Sequence, residues 1–241
     1  MTQISGTIQT LLNDGDKRTR LAALTQRRRE STPDEAYAIG DFYFGAYETE
    51  WVSPYTKSAS NLHATVMVLL QDWASNDYLA QVFRPALASL GLDPKLPTSQ
   101  HLNMLLRRHL GLALNDTYAT NVYPFIKKGS LSAAMTWRGI LEGARRYALP
   151  QIQIIAPKIV ICLGLNVFNA ISVANGGVRY KRLEAAITTP FCLALENGHC
   201  CYVFAQAHTG FHGQTSRNRI TRQQVDLDWA SMITHLPNIM T

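Results

Sequence analysis

Apolar residues fall into two patterns that alternate along the chain. Short runs rich in Val, Ile and Leu predict strands at 64–70 (ATVMVLL), 116–123 (DTYATNVY), 158–164 (KIVICLG) and 199–207 (HCCYVFAQA), with a weaker one over 187–195. Between them, Leu79, Val82, Phe83, Ala86, Leu87 and Leu90 follow 3.6-residue spacing up to Gly91. Further helices are predicted over 99–109, 130–148 and 218–235. Near-continuous apolar strands interleaved with helices predict an α/β protein: three αβα layers around a central, mostly parallel sheet.

The first 60 residues read differently. Residues 5–30 have a helical pattern carrying Lys17, Arg18, Arg20, Arg27, Arg28 and Arg29, and Ser31-Thr32-Pro33 ends it. The aromatic-rich stretch DFYFGAYETEW, continuing to Tyr55, predicts extended or irregular packing, and no chemistry is assigned to it. The expected organisation is an N-terminal extension over 1–60 packed on one α/β domain over 61–241, with no internal repeat or long linker.

Composition narrows the class. The chain has 241 residues, 46% hydrophobic and 17% charged, which is too apolar for a disordered chain, and no run of 18 apolar residues to span a bilayer. MTQISGTIQT lacks the cationic end and apolar stretch of a signal peptide, so a soluble, cytoplasmic protein and a monomer are expected. The four cysteines form no CxxC pair, and three sit in or beside apolar runs, so reduced thiols and no bound metal or other cofactor are expected.

Net charge is +6, unevenly spread. Residues 1–126 hold 11 basic and 12 acidic side chains, whereas residues 127–225 hold 12 basic against only Glu142, Glu184 and Glu196. Such asymmetry fits one face meeting nucleic acid and fits equally a solubilising surface of high pI.

In open α/β sheets ligands bind beyond the carboxyl ends of the strands, so the polar residues there carry the functional signal. The first strand runs into Gln71-Asp72-Trp73, the second carries Thr120-Asn121 near its end, and the last runs into His208-Thr209-Gly210. Singly, an Asp or His after a strand is an ordinary helix cap or turn former. Together they offer a carboxylate, an amide and an imidazole at one sheet edge.

Four segments, in order, resemble the motifs of the uracil-DNA glycosylase superfamily. VMVLLQDWAS resembles the first, an apolar strand leading into Gly-Gln-Asp-Pro-Tyr-His; YATNVYPF resembles the strand ending in a base-reading Asn. IIAPKIVICLGLNVFNAI is similar to the buried strand and Leu-Gly turn, and AHTGFHGQTSRNR to the His-Pro-Ser motif with its DNA-inserting loop. The resemblance covers about residues 60–220. It implies a metal-independent DNA glycosylase that acts on uracil or a related damaged base in single- or double-stranded DNA.

The implied roles suit the chemistry, because breaking an N-glycosidic bond builds positive charge on the sugar and negative charge on the departing base. Asp72 would orient a water and stabilise the cationic sugar. His208 would donate to the base O2 as a neutral imidazole, beside backbone N–H groups around Gln71 and Asp72. The amide of Asn121 would read a uracil edge, and Phe83, Tyr78 or Trp73 would stack on the base. Phe211 or His212 would be the wedge that replaces a flipped base, with Arg217, Arg219, Lys127 and Lys128 on phosphates.

The chain also departs from the pattern. Leu70 stands where the family has Gly, Trp73 where it has Pro, Ala74 in place of the Tyr that blocks the thymine methyl, and Thr209-Gly210 in place of Pro-Ser. These changes keep two alternatives open: a catalytically inactive DNA-binding protein of the same fold, and an enzyme acting on a free nucleoside or nucleotide.

Overall fold

A computed structural model of the chain describes residues 16–235. Helix α1 spans Lys17–Glu30 and begins at Asp16, whose carboxylate accepts from the Thr19 N–H. That side chain satisfies one of the donors every helix start leaves open. The helix predicted over 5–30 lies partly outside the described residues and ends where Ser31-Thr32-Pro33 required. A two-residue strand β1 (Ala36–Tyr37) follows, then short 3-10 turns through the aromatic stretch to Ser58.

The central sheet begins with β2 (Val66–Asp72). Helices α2 (Asn76–Gln81), α3 (Pro85–Leu90) and α4 (Pro97–Leu110) lead to β3 (Tyr118–Tyr123) and the short β4 (Ile126–Lys127). Helices α5 (Trp137–Gly143) and α6 (Leu149–Ile155) are joined by a π-helical turn at Ala144–Ala148. Next come β5 (Ile159–Leu163), α7 (Leu165–Ala174), α8 (Leu183–Ile187), β6 (Phe191–Ala194) and β7 (Cys200–Gln206). Helices α9 (Phe211–Asn218) and α10 (Gln224–Thr234) close the chain.

The five-stranded sheet has the order β3-β2-β5-β7-β6, parallel throughout except for the antiparallel β6–β7 pair. Alternation along each strand feeds two cores. Met67, Leu69, Val160, Cys162 and Val203 face α1, α5, α6 and α7 through Leu24, Ile140, Ile152 and Phe168. Val66, Val68, Leu70, Ile161 and Phe204 face α4 and α10 through Leu102, Leu106, Trp229 and Met232. The architecture is therefore three-layered αβα, as the alternating pattern predicted.

Three predicted helices are redrawn. The stripe over 79–90 is two helices, because Pro85 lacks an N–H and pushes Arg84 out of the helical region, to φ −119° and ψ 96°. The helix predicted over 130–148 lies further along, and the closing helix predicted over 218–235 starts later, as α10 from Gln224, after α9 has ended at Asn218. Two cysteines also depart from expectation. Cys162 and Cys201 are buried free thiols, pushed above their usual range by burial, to about 12 at Cys201, but Cys192 and Cys200 are joined as a disulfide across the β6–β7 hairpin.

Strand order also fixes where a ligand belongs. From β2 the chain crosses to β3 on one side, and from β5 to β7 on the other, so the switch point lies between β2 and β5. Asp72 ends β2, Gly164 follows β5, and His208 lies two residues beyond β7.

Candidate active-site cleft

Beyond that carboxyl edge lies a cleft of about 540 Å³. Tyr55, Leu70, Asp72, Trp73 and Tyr78 line it, together with Thr98, Ser99 and Ser130 to Ser132, and with His208, Gly210, Phe211 and His212. The strand carries Asp72 two residues further than the sequence pattern placed its end. Asp72 is paired in register with Tyr123 of β3, so a rigid ladder rather than a loop presents the carboxylate.

Both carboxylate oxygens of Asp72 are held. Gln71 Nε2 donates to Oδ1 at 3.0 Å, and the Lys127 ammonium sits 2.9 Å from Oδ2. The two side chains of the ion pair are only 12% and 8% exposed. Lys127 Nζ also donates to the carbonyls of Leu131 (2.6 Å) and Ala133 (3.2 Å), so all three of its donors are used. This corrects the expectation that Lys127 binds phosphate: it is an internal clamp on Asp72. Its position is set by β4, which pairs with β1 so that Lys127 lies opposite Ala36.

His208 is positioned by the backbone of the turn that follows it. Its Nδ1 accepts the Gly210 N–H at 3.0 Å, which in the neutral ring places the proton on Nε2. Burial, acting first, holds its pKa below the usual histidine value; the Asp72 charge opposes that and the Lys127 charge reinforces it. The turn after it is pinned to α4: Thr209 Oγ1 donates to the Thr98 carbonyl (3.0 Å), and His101 Nδ1 donates to the Thr209 carbonyl (3.0 Å). Gly213 packs directly under this turn, where a Cβ would stand 2.2 Å from the His208 carbonyl oxygen.

The other predicted residues divide. Trp73 and Tyr78 line the cleft; Trp73 Nε1 donates to the Gly91 carbonyl (2.7 Å), and the Arg84 guanidinium lies 4.1 Å over the Tyr78 ring. Gly91 has φ +69°, and a Cβ there would collide with the Pro54 carbonyl. Phe211 and His212 are exposed at the start of α9, on the cleft rim, with Phe211 65% exposed. Gln71 lies outside the wall and acts on Asp72.

Phe83 and Asn121 are placed elsewhere. Phe83 follows α2, 41% exposed, packed on Tyr43 and Tyr47 instead of on the cleft wall or in the core. Asn121 is fully buried behind the wall, its Oδ1 accepting the Ser53 hydroxyl at 2.6 Å and its Nδ2 without a partner. Arg217 is a second correction. It is buried and doubly bonded to Asp228 (2.6 and 2.9 Å) and to Glu184 (2.6 Å), so its donors tie α9 to α10 and α8 rather than facing DNA. Arg219 is exposed at the end of α9, and Lys128 is exposed with its ammonium on the Asp34 carbonyl (3.0 Å).

Tyr55 and Ser53 come from the aromatic segment, whose residue pattern carries no assigned role. Ser53 caps the Pro54–Ser58 turn and holds Asn121, while Tyr55 faces the cleft with its hydroxyl buried and pushed up to about 12 by burial, an effect the nearby Ser99 hydroxyl opposes. Nothing in the spacing of DFYFGAYETEW marks those two; only the long-range fold brings them to the sheet edge. The Tyr78 hydroxyl is buried without a partner. Such a group costs about 1–3 kcal/mol when left unpaired, which favours a polar occupant or ordered water in this cleft.

Among the described residues, no group of three or more His, Cys, Asp and Glu is placed to hold a metal ion, and no helix is long and apolar enough to cross a membrane. No protein-family model matches the chain, and no curated protein matches it.

Proposed function

We propose that the chain is a DNA glycosylase, hydrolysing the N-glycosidic bond of uracil or a related damaged base in DNA. One observation carries the reading: a carboxylate at the end of one strand and a histidine just beyond another face one cleft at the switch point of the sheet, the first ion-paired and the second fixed in one tautomer. Asp72 is ion-paired with Lys127, and His208 is held as the neutral Nε2–H imidazole.

In this reading the base enters between the Trp73–Tyr78 wall and His208. The fixed Asp72 carboxylate orients a water and faces the positive charge that grows on the sugar. His208 Nε2–H donates to the base oxygen as negative charge collects there, and neutrality keeps a full proton transfer from competing with the hydrogen bond. Phe211, on the rim, takes the space of the flipped base. Asn121 is left out of direct base reading, since Ser53 occupies its acceptor and it lies behind the wall.

The test is base release from uracil-containing single- and double-stranded oligonucleotides, followed by hypoxanthine, xanthine and oxidised pyrimidines. Asp72→Asn and His208→Ala should each lower the rate by orders of magnitude. Wild-type rates in both variants, or no release from any substrate, would reject the reading. The burial of Asn121 favours one second reading, a DNA-binding protein without catalysis; salt-sensitive binding with no base released distinguishes it.

A further inference from the structure

The structure accounts for two of the cations expected on DNA, Lys127 and Arg217, by internal pairs. The basic excess of residues 127–225 must therefore meet any polyanion elsewhere. The segment joining α7 to α8 presents Arg179, Lys181 and Arg182 to solvent. None of the three has an ion-pair partner among the described residues, and Arg179 is held only by its guanidinium lying 4.1 Å over the Trp137 ring.

This segment is firmly seated. Asn169 on α7 bonds the backbone of Tyr180 twice, accepting its N–H at 2.8 Å and donating to its carbonyl at 2.9 Å, and Ser172 donates to the Val178 carbonyl at 2.8 Å. It is also tied to both flanks of the cleft. Trp137, under Arg179, opens α5 directly after the loop whose Ser130, Leu131 and Ser132 line the cleft. Glu184, two residues after Arg182, bonds Arg217 of α9, the helix that carries Phe211 on the opposite rim.

We propose that Arg179, Lys181 and Arg182 form a phosphate-binding rim that takes the sugar-phosphate backbone of the nucleic acid entering the cleft. An arginine stacked on an aromatic face keeps its N–H edge free in the ring plane, suited to two phosphate oxygens, and the lysine adds a mobile point charge. The anchored backbone keeps the three charges together, so binding does not first have to order a loop. The proposal rests on the DNA reading above for its occupant, but not on catalysis.

The test is binding of labelled single- and double-stranded oligonucleotides by fluorescence anisotropy. It compares wild type with the triple variant R179Q/K181Q/R182Q and a control of equal charge loss, R18Q/R107Q/R145Q, after thermal melts show that all three fold. Each phosphate contact contributes about 0.9 to the slope of log affinity against log salt for duplex DNA, so the rim variant should be shallower by about 2 to 3. Between about 50 and 200 mM salt its affinity should fall far less steeply than that of the wild type, from a starting value reduced at least roughly tenfold. The control should keep the wild-type slope to within about 1.

An unchanged slope in the rim variant, an equal loss in the control, or binding to anionic vesicles with no affinity for oligonucleotides would each overturn the proposal. Normal binding with no base release, and the expected slope change, would reject the glycosylase reading while leaving the rim in place.

Discussion

Replacing Lys127 by Met removes the cation that holds Asp72 and leaves the rest of the clamp intact. At 2.9 Å the pair has a gross Coulomb attraction of about 6 kcal/mol at an effective dielectric constant of about 20. Desolvation of both groups offsets much of that, so the useful figure is the cost of orphaning one partner, about 3–5 kcal/mol for a buried pair. Side-chain exposures of 12% and 8% let some water reach the orphaned carboxylate, which favours the lower end, about 3 kcal/mol. The carbonyls of Leu131 and Ala133 lose their Lys127 donor as well, and water can replace it at the exposed Leu131.

A double-mutant cycle separates the ion pair from the rest. Urea denaturation of wild type, Lys127→Met, Asp72→Asn and the double variant, all at neutral pH, should give a coupling energy of about 2–3 kcal/mol with unchanged m-values. Lys127→Arg keeps the charge, but a planar guanidinium cannot aim three donors at one carboxylate and two carbonyls, so it should recover only part of the loss. The rate of base release, if measured in the same proteins, should fall with Lys127→Met even where the enzyme is fully folded. A coupling below about 0.5 kcal/mol would refute the reasoning, for the contact would then contribute no more than an exposed surface pair.

Arg217→Met should destabilise the fold by about 3–5 kcal/mol in the same denaturation assay, because it strands the buried Asp228 carboxylate, yet leave the salt slope of DNA binding unchanged; a changed slope would return Arg217 to the interface. Gly213→Ala gains up to about 1 kcal/mol of helix propensity, but its Cβ would stand 2.2 Å from a backbone oxygen, so a net loss of about 1–3 kcal/mol and a displaced His208 are expected by melting and rate measurements. The His208 pKa is lowered in the folded state, so below the unfolded histidine value of about 6.5 the unfolded chain binds more protons. Its contribution to stability is thus full above that pH and fades as pH falls through the folded value. Imidazole nitrogen shifts in NMR, assigned with His208→Ala, should show Nε2–H and a midpoint below the ordinary histidine value of about 6.5, rising in Lys127→Met; a midpoint at or above about 6.5 would contradict the geometry.

What the sequence disclosed was whatever depends on neighbours along the chain. The apolar runs of β2, β3, β5 and β7 are bounded by turn residues, so their existence and the polar residues at their ends were legible, and with them Asp72 and His208. Local chemistry can mislead even there. Val82 and Phe83 continue the helical stripe, yet Pro85 breaks it and leaves both exposed, since spacing reports a face and not whether anything covers it.

Charge was less legible still, because a composition counts cations without their partners. Lys127 and Lys128 are adjacent in sequence. Residue 127 lies in a two-stranded ladder that buries its ammonium against Asp72, and residue 128 points to solvent, where it reaches the Asp34 carbonyl. The two thus differ in the charge they leave for an anion: one is neutralised by Asp72 inside, the other adds positive charge at the surface. The distinction turns on β1, contributed by the N-terminal segment to which the residue pattern assigned no chemistry. That segment supplies the strand beside Lys127, the Ser53 that occupies Asn121 and the Tyr55 of the cleft wall, so it is part of the site's construction.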